Sequence, residues 1–161
     1  MFSDETLARA ARLIEASTEA GVMLATVESC TGGLIAGALI SVAGSSSAFE
    51  RGFVTYTNEA KMEVVGVPKK TLVAHGAVSA ETAIAMAEGA LNICPADLSV
   101  GVTGVAGPGG GTPEKPVGTV AIAVALRGAQ AVCEIPRFDG DRTAVRLATV
   151  DKALDMMLAI L

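Results

Sequence analysis

The turn Glu28-Ser29-Cys30-Thr31-Gly32-Gly33 sets two candidate nucleophiles between two apolar runs, 22–27 and 34–42. A serine hydroxyl in such a turn can attack a carbonyl if a base takes its proton and nearby N–H groups hold the oxyanion. Cys30 can serve instead if the helix end stabilises its thiolate. The same strand–turn–helix pattern can cradle an anion with the amides of Thr31, Gly32 and Gly33. A bend in which Ser29 or Thr31 merely caps the helix uses the same residues. The spacing is neither a Gly-x-Ser-x-Gly elbow nor a phosphate-binding Walker loop. Strand alternation points Ser29 and Cys30 to opposite sides, and Ser29 is the preferred nucleophile.

The chain is poor in bases. It has one histidine, His75, one tyrosine, Tyr56, and no tryptophan. A Ser-His-Asp mechanism would have to use His75, whose place beside Gly76 suits a turn with a backbone hydrogen bond. A multi-histidine metal site cannot be built within the chain. Lys61 falls in the first turn of an expected helix, where a cation is unfavourable. Buried there, it would have a lowered pKa and could act as a base; solvated, it would only decorate an amphipathic helix. Tyr56 is a candidate partner or a packed ring. Ser45, Ser46 and Ser47 offer hydroxyls in a loop.

Thr103 precedes the loop 104–118, which holds six of the 18 glycines and three of the six prolines. Flexible residues stiffened by prolines suit a formed binding loop whose amides hold phosphate or carboxylate. Lys115 can add charge there or face solvent. Arg142 opens the last helix and can clamp an anion with its planar fork or pair with Asp141.

The elements that position these groups follow from periodicity. Residues 4–19 form an amphipathic helix closed by Gly21, 22–27 a buried strand and 34–42 a helix rich in small residues. Residues 43–52 read as a loop and 53–57 as a strand. Asn58 caps a helix over 58–65, and Ser79 caps another running to about 93. Strands are expected at 98–102, 119–126 and 131–138, the last two joined by a turn at 127–129, with a final helix over 142–161. This order predicts one α/β domain over residues 1–161, a three-layer α/β/α sandwich on a mixed, largely buried sheet.

Apolar residues make up 51% of the 161 residues and charged residues 18%, which excludes a disordered chain. A net charge of −5 leaves no basic footprint for nucleic acid. No apolar run reaches the roughly 20 residues that span a bilayer, and the amphipathic start does not read as a signal peptide. Cys30, Cys94 and Cys133 share no metal-ligand spacing and fit reduced, cytoplasmic thiols. From residue chemistry alone, the pattern indicates a small-molecule site for an anionic substrate, compatible with acyl transfer.

Five blocks in one order, ESCTGG (28–33), GSSSAFERGFVTYTNEAK (44–61), HGAVS (75–79), VTGVAGPGGGTPEKPVGTV (102–120) and FDGDRTAVR (138–146), resemble the CinA carboxy-terminal domain. The likeness runs from about residue 6 to the end. Larger members of that family carry a further amino-terminal domain, whose functions are not expected of these residues. The resemblance implies a nicotinamide-nucleotide amidase that converts nicotinamide mononucleotide to the nicotinic acid form and ammonia, in pyridine nucleotide salvage. It also implies a homo-oligomer and no metal or other cofactor. Matched position by position, it makes Ser29 the nucleophile and Tyr56 and Lys61 the acid–base groups. Ser46, Thr103 and Arg142 become binding residues. The amides of Thr31, Gly32 and Gly33 are then oxyanion candidates, and the loop at Gly107 a phosphate cradle. A regulatory nucleotide-binding module without turnover, or the same amidase using Cys30, are the competing readings.

Overall fold

The computed structural model describes residues 2–161. Helix α1 (Asp4–Ala20) starts where the Ser3 hydroxyl accepts from the Thr6 amide, and ends at Gly21 in the left-handed region that glycine favours. The next apolar stretch is strand β1 (Leu24–Glu28), buried throughout, and the ESCTGG turn leads into helix α2 (Leu34–Ile40). A 3-10 turn at Ser45–Ser47 precedes β2 (Phe49–Val54). Helices α3 (Asn58–Val65), α4 (Lys69–His75) and α5 (Ala80–Ile93) follow. Strands β3 (Leu98–Gly104), β4 (Val120–Leu126) and β5 (Val132–Glu134) then lead to helix α6 (Arg142–Leu158).

The strands form one sheet in the order β2-β1-β3-β4-β5. Pairs β2–β1 and β1–β3 are parallel, whereas β3–β4 and β4–β5 are antiparallel. The expected three-layer α/β/α sandwich with a mixed sheet is the architecture the chain adopts. On one face Leu24, Leu98, Val100, Ile122 and Val124 pack with side chains of α1, α2 and α6. On the other, Ala25, Val27, Ala121, Ala123 and Ala125 pack with α5 and with Val65 at the end of α3. Period-2 alternation thus sorts large side chains to the first face and small ones to the second.

The small face lets α5 lie close to the sheet. A Cβ on Gly101 of β3 would stand 2.4 Å from the Ala83 carbonyl oxygen, and one on Gly89 of α5 would stand 2.0 Å from that of Val65. Ser99 adds a hydrogen bond of 2.6 Å from its hydroxyl to the Ala87 carbonyl. Gly89 therefore sets the distance between α5 and the end of α3, the helix that carries Lys61.

Several boundaries differ from the expectation. Strand β2 begins at Phe49 and stops at Val54, so 49–52 are strand rather than loop and 55–57 lie beyond the strand, with only the Thr55 amide still bonded to β1, at the Glu28 carbonyl. Thr57, not Asn58, caps α3, its hydroxyl accepting from the Ala60 amide. Helix α4 was not anticipated: seven residues entered from Pro68 without a side-chain cap carry a weak periodic signal. Strand β5 is three residues long because Pro136, whose carbonyl accepts from the Val120 amide, has no N–H to return. Helix α2 ends at Ile40 and α6 at Leu158, each short of the expected limit.

Gly89→Ala is expected to destabilise the fold by about 1–3 kcal/mol, since the methyl group must displace backbone. Gly109→Ala, with nothing within 4 Å of the new Cβ, should change stability by less than about 0.5 kcal/mol. Urea unfolding of the two variants checks the contrast.

Candidate active site

Ser29 is the first residue beyond β1, and both neighbouring strands hold it. Its amide donates to the Val102 carbonyl at 2.9 Å, while the preceding Glu28 carbonyl accepts from Thr55 at 2.8 Å. The Ser29 side chain faces the α3 layer. There the Lys61 Nζ lies 3.1 Å from the Ser29 hydroxyl and donates to the Thr55 carbonyl at 3.0 Å and the Tyr56 carbonyl at 3.4 Å. Lys61 is only 1% exposed, and burial lowers its pKa, because a dry site disfavours the ammonium form.

A cavity of about 200 Å³ opens beside this pair. Ser29, Cys30, Tyr56, Lys61, Thr103 and Arg142, all singled out from the sequence, line it, and Asn58 and Val78 join them. The Thr103 hydroxyl donates to the Ala77 carbonyl at 2.8 Å, tying the end of β3 to the segment before α5. Arg142 spans the mouth: Nη1 donates to the Gly107 carbonyl at 2.8 Å and Nη2 to the Tyr56 hydroxyl at 3.0 Å. Gly107 thus holds Arg142 through its carbonyl. The Tyr56 ring is 59% exposed, and its hydroxyl meets Arg142 rather than Ser29 or Lys61. In this geometry Tyr56 is a wall of the cavity, with only its main chain touching the lysine.

The turn itself differs from the expected cradle. The positive end of α2 is filled by the chain's own Glu28, whose carboxylate accepts from the amides of Gly33 (3.0 Å), Ile35 (3.0 Å) and Ala36 (2.9 Å). The Gly32 amide is used as well, donating to the Ser29 carbonyl at 3.1 Å. Gly32 and Gly33 therefore present no N–H to a ligand. Of the three expected oxyanion donors, only the Thr31 amide lacks an acceptor among the described residues. From α6, Arg146 donates from Nε to the Cys30 carbonyl at 3.0 Å and from Nη2 to the Thr31 carbonyl at 2.9 Å.

Other candidates are placed elsewhere. Ser46 precedes β2, whose first residue pairs with Leu24 at the start of β1, whereas Ser29 follows the other end of that strand. Five residues of parallel strand separate them by roughly 17 Å, so Ser46 does not reach the Ser29 site of its own chain. Lys115 turns away from the cavity and donates to the His75 carbonyl at 2.9 Å. His75 ends α4 with its Nδ1 3.5 Å from Glu81. Cys30 does border the cavity, but it packs with the side chains of the α2–α6 layer, and burial pushes its thiol pKa up to about 11. Such a group is a thiol at neutral pH, not an attacking thiolate.

Sequence reasoning missed Glu28 and Arg146. Glu28 opens the ESCTGG turn, and a carboxylate closing a buried strand just before a glycine-led helix is a signal for internal capping. Arg146 lies four residues after Arg142, on the same helix face. Among the described residues, no group of three or more His, Cys, Asp or Glu side chains is placed to hold a metal ion. No helix there is long and apolar enough to cross a membrane.

The fold and the buried serine–lysine contact define an α/β/α domain with its candidate site at the carboxyl ends of parallel strands. The chain belongs to the family of the CinA C-terminal domain, which it matches over residues 6–161. It is 44% identical to a nicotinamide-nucleotide amidohydrolase, PncC, of Escherichia coli K12, over 98% of this chain and 95% of that protein. It is 48% identical to a CinA-like protein of Citrifermentans bemidjiense over 98% of its own length but spans only 38% of that longer relative. The crystal structure of the competence/damage inducible protein CihA from Agrobacterium tumefaciens superposes with a TM-score of 0.96 at 50% identity, covering 99% of this chain and 98% of that one.

Glu28→Ala leaves three amides at the start of α2 without their acceptor, two of them on part-buried and one on a fully buried bond. The expected loss is about 3 kcal/mol or more, at roughly 1–3 kcal/mol for each buried donor left unmade. Thermal and urea unfolding measure it, and a change below about 1 kcal/mol would contradict the capping role.

Proposed function

We propose that residues 1–161 form one catalytic domain that hydrolyses the carboxamide of nicotinamide mononucleotide, releasing ammonia and the nicotinic acid nucleotide, in pyridine nucleotide salvage. One observation carries this reading: a buried lysine amine 3.1 Å from a serine hydroxyl that lines a cavity. The activity named for the Escherichia coli relative, nearly the same length and 44% identical, supports the substrate.

The hydrogen bonds around Lys61 suit a neutral amine. Its two N–H bonds match the carbonyls of Thr55 and Tyr56, and its lone pair then accepts the Ser29 proton. Ser29 Oγ attacks the amide carbon, the carbonyl electron pair moves to oxygen, and Lys61 becomes the ammonium. Collapse of the tetrahedral intermediate breaks the C–N bond as Lys61 returns the proton to the leaving nitrogen, which departs as ammonia. Water then attacks the Ser29 ester, giving its proton to Lys61. The second collapse frees the carboxylic acid, and Ser29 recovers the proton from Lys61.

Arg142, held between Gly107 and Tyr56, is suited to the substrate phosphate, with Thr103 and the amides of the glycine loop beside it. Ser46 enters this scheme only from another subunit. The exposed apolar side chains of Ile40 and Val54 are compatible with a homo-oligomer. The cysteines, all free among the described residues, suit a cytoplasmic setting.

Ammonia release from nicotinamide mononucleotide tests the reading. Ser29→Ala should lower kcat by on the order of 10⁴-fold or more, and Lys61→Met by about 10²–10⁴-fold, while Cys30→Ala keeps turnover. Lys61→Met that retains full activity would remove the mechanism. Because burial lowers the Lys61 pKa, kcat/KM should rise with pH as the amine loses its proton, with a midpoint below the ordinary lysine value of about 10.4. A rate that instead falls with pH across that limb would assign the wrong protonation state to Lys61.

A further inference from the structure

Most polar side chains that line the cavity are already engaged within the chain. The Ser29 hydroxyl meets Lys61, and Lys61 donates to the carbonyls of Thr55 and Tyr56. Thr103 is bonded to the Ala77 carbonyl, and Arg142 joins the Gly107 carbonyl to the Tyr56 hydroxyl. Asn58 differs. It lines the same cavity, and its side-chain amide has no hydrogen-bond partner among the described residues. An asparagine amide offers two N–H donors and a carbonyl acceptor, so all of that capacity is open to a ligand.

Its place on α3 sets it beside the reacting pair. Asn58 is the first residue after the Thr57 cap, and Lys61 follows three residues later, where side chains share a helix face. The Lys61 side chain does not run outward along α3. Its Nζ bonds two carbonyls that precede the helix, so the chain folds back towards the amino end, through the level of Asn58. The amine that meets Ser29 and the uncommitted amide therefore belong to one turn of one helix, and both border the cavity with Ser29.

A carbonyl attacked at Ser29 turns its oxygen into an anion that needs a donor, and the amides of Gly32 and Gly33 are held within their own turn. We propose that Asn58 Nδ2 is a side-chain donor to that oxygen. The proposal rests on Ser29 being the nucleophile.

The test uses the full chain. Nicotinaldehyde mononucleotide, whose carbonyl Ser29 adds to as a hemiacetal, places an oxygen at the oxyanion position. Wild type should bind it far more tightly than Ser29→Ala does; equal affinity would remove the serine reading itself. With that arm in place, Asn58→Leu, close in shape but without a donor, should lower kcat by about 10²–10³-fold with KM changed less than about threefold. Affinity for the aldehyde should fall along with kcat. Pyridine mononucleotide, which lacks the carboxamide, gives Asn58 no oxygen to hold and should bind wild type and Asn58→Leu alike. Asn58→Asp keeps the shape and the acceptor but loses both N–H groups. At about pH 8, where a carboxylic acid is ionised, it should be as slow as the leucine variant or slower. Both variants should keep the wild-type thermal transition, because the Asn58 side chain is exposed and bonds to nothing among the described residues. Full kcat in either variant, or equal losses of affinity for pyridine mononucleotide and the aldehyde, would overturn the proposal.

Discussion

A lysine amine sealed against a serine hydroxyl is the constraint around which the rest of the molecule is arranged. Burying Lys61 as an ammonium would cost several kcal/mol, so the site must either supply compensating acceptors or leave the amine neutral. Two main-chain carbonyls from the segment just after β2 supply acceptors, and burial lowers the pKa of the amine. Those carbonyls are available because β2 stops at Val54 and the chain turns out of the ladder before Thr57 caps α3. The cap sets where α3 begins, the beginning sets which residue of its first turn points inward, and Gly89 lets α5 close over the far end of the same helix.

The second constraint is electrostatic. A helix that starts at the rim of a site usually lends its positive end to a ligand. Here that end is given to Glu28, the last residue of β1, and the three bonds it accepts lock strand, turn and helix into one unit. That end is thus closed to an external anion, and the cation at the cavity mouth is Arg142, supported from two sides. Glu28 and Arg146 act on opposite poles of the same turn, one taking its amides and the other its carbonyls. Among the described residues, the turn's amides of Cys30 and Thr31 are left without an acceptor.

The layers of the fold were legible because burial writes a period: alternation in β4 sends Val120, Ile122 and Val124 one way and the alanines between them the other. The meeting of Ser29, Lys61, Thr103 and Arg142 followed from their places at strand ends and helix starts. Other features carry no periodic signal. FVTYT reads as strand by propensity, yet the strand ends at Val54; the Thr55 amide keeps a bond to Glu28 while the carbonyls of Thr55 and Tyr56 accept from Lys61, a tertiary contact that propensity does not encode. Helix α4 is too short to display a face. Ser46 shares a block with Lys61, but the length of β2 carries the two to opposite ends of the sheet. The roles of Glu28 and Arg146 are set by partners that only folding brings within reach.

Strand parity decides which side chain of the turn faces Lys61. The crossover from β1 to β2 runs through α2 on one face, and the return from β2 to β3 runs through α3, α4 and α5 on the other. Strand β1 therefore sits between two neighbours whose connections leave in opposite directions, and a crevice opens beyond its carboxyl end. Side chains that leave β1 alternate between the layers: Val27 towards α5, Glu28 towards α2, Ser29 towards Lys61, Cys30 into the α2–α6 core. A register slip of one residue would exchange the last two, burying the hydroxyl and offering the thiol to the lysine. The ladder forbids that slip twice over, through the Ser29 amide on Val102 and the Thr55 amide on Glu28. That the Ser29 hydroxyl and not the Cys30 thiol meets Lys61 is thus a property of the sheet before it is a property of either side chain.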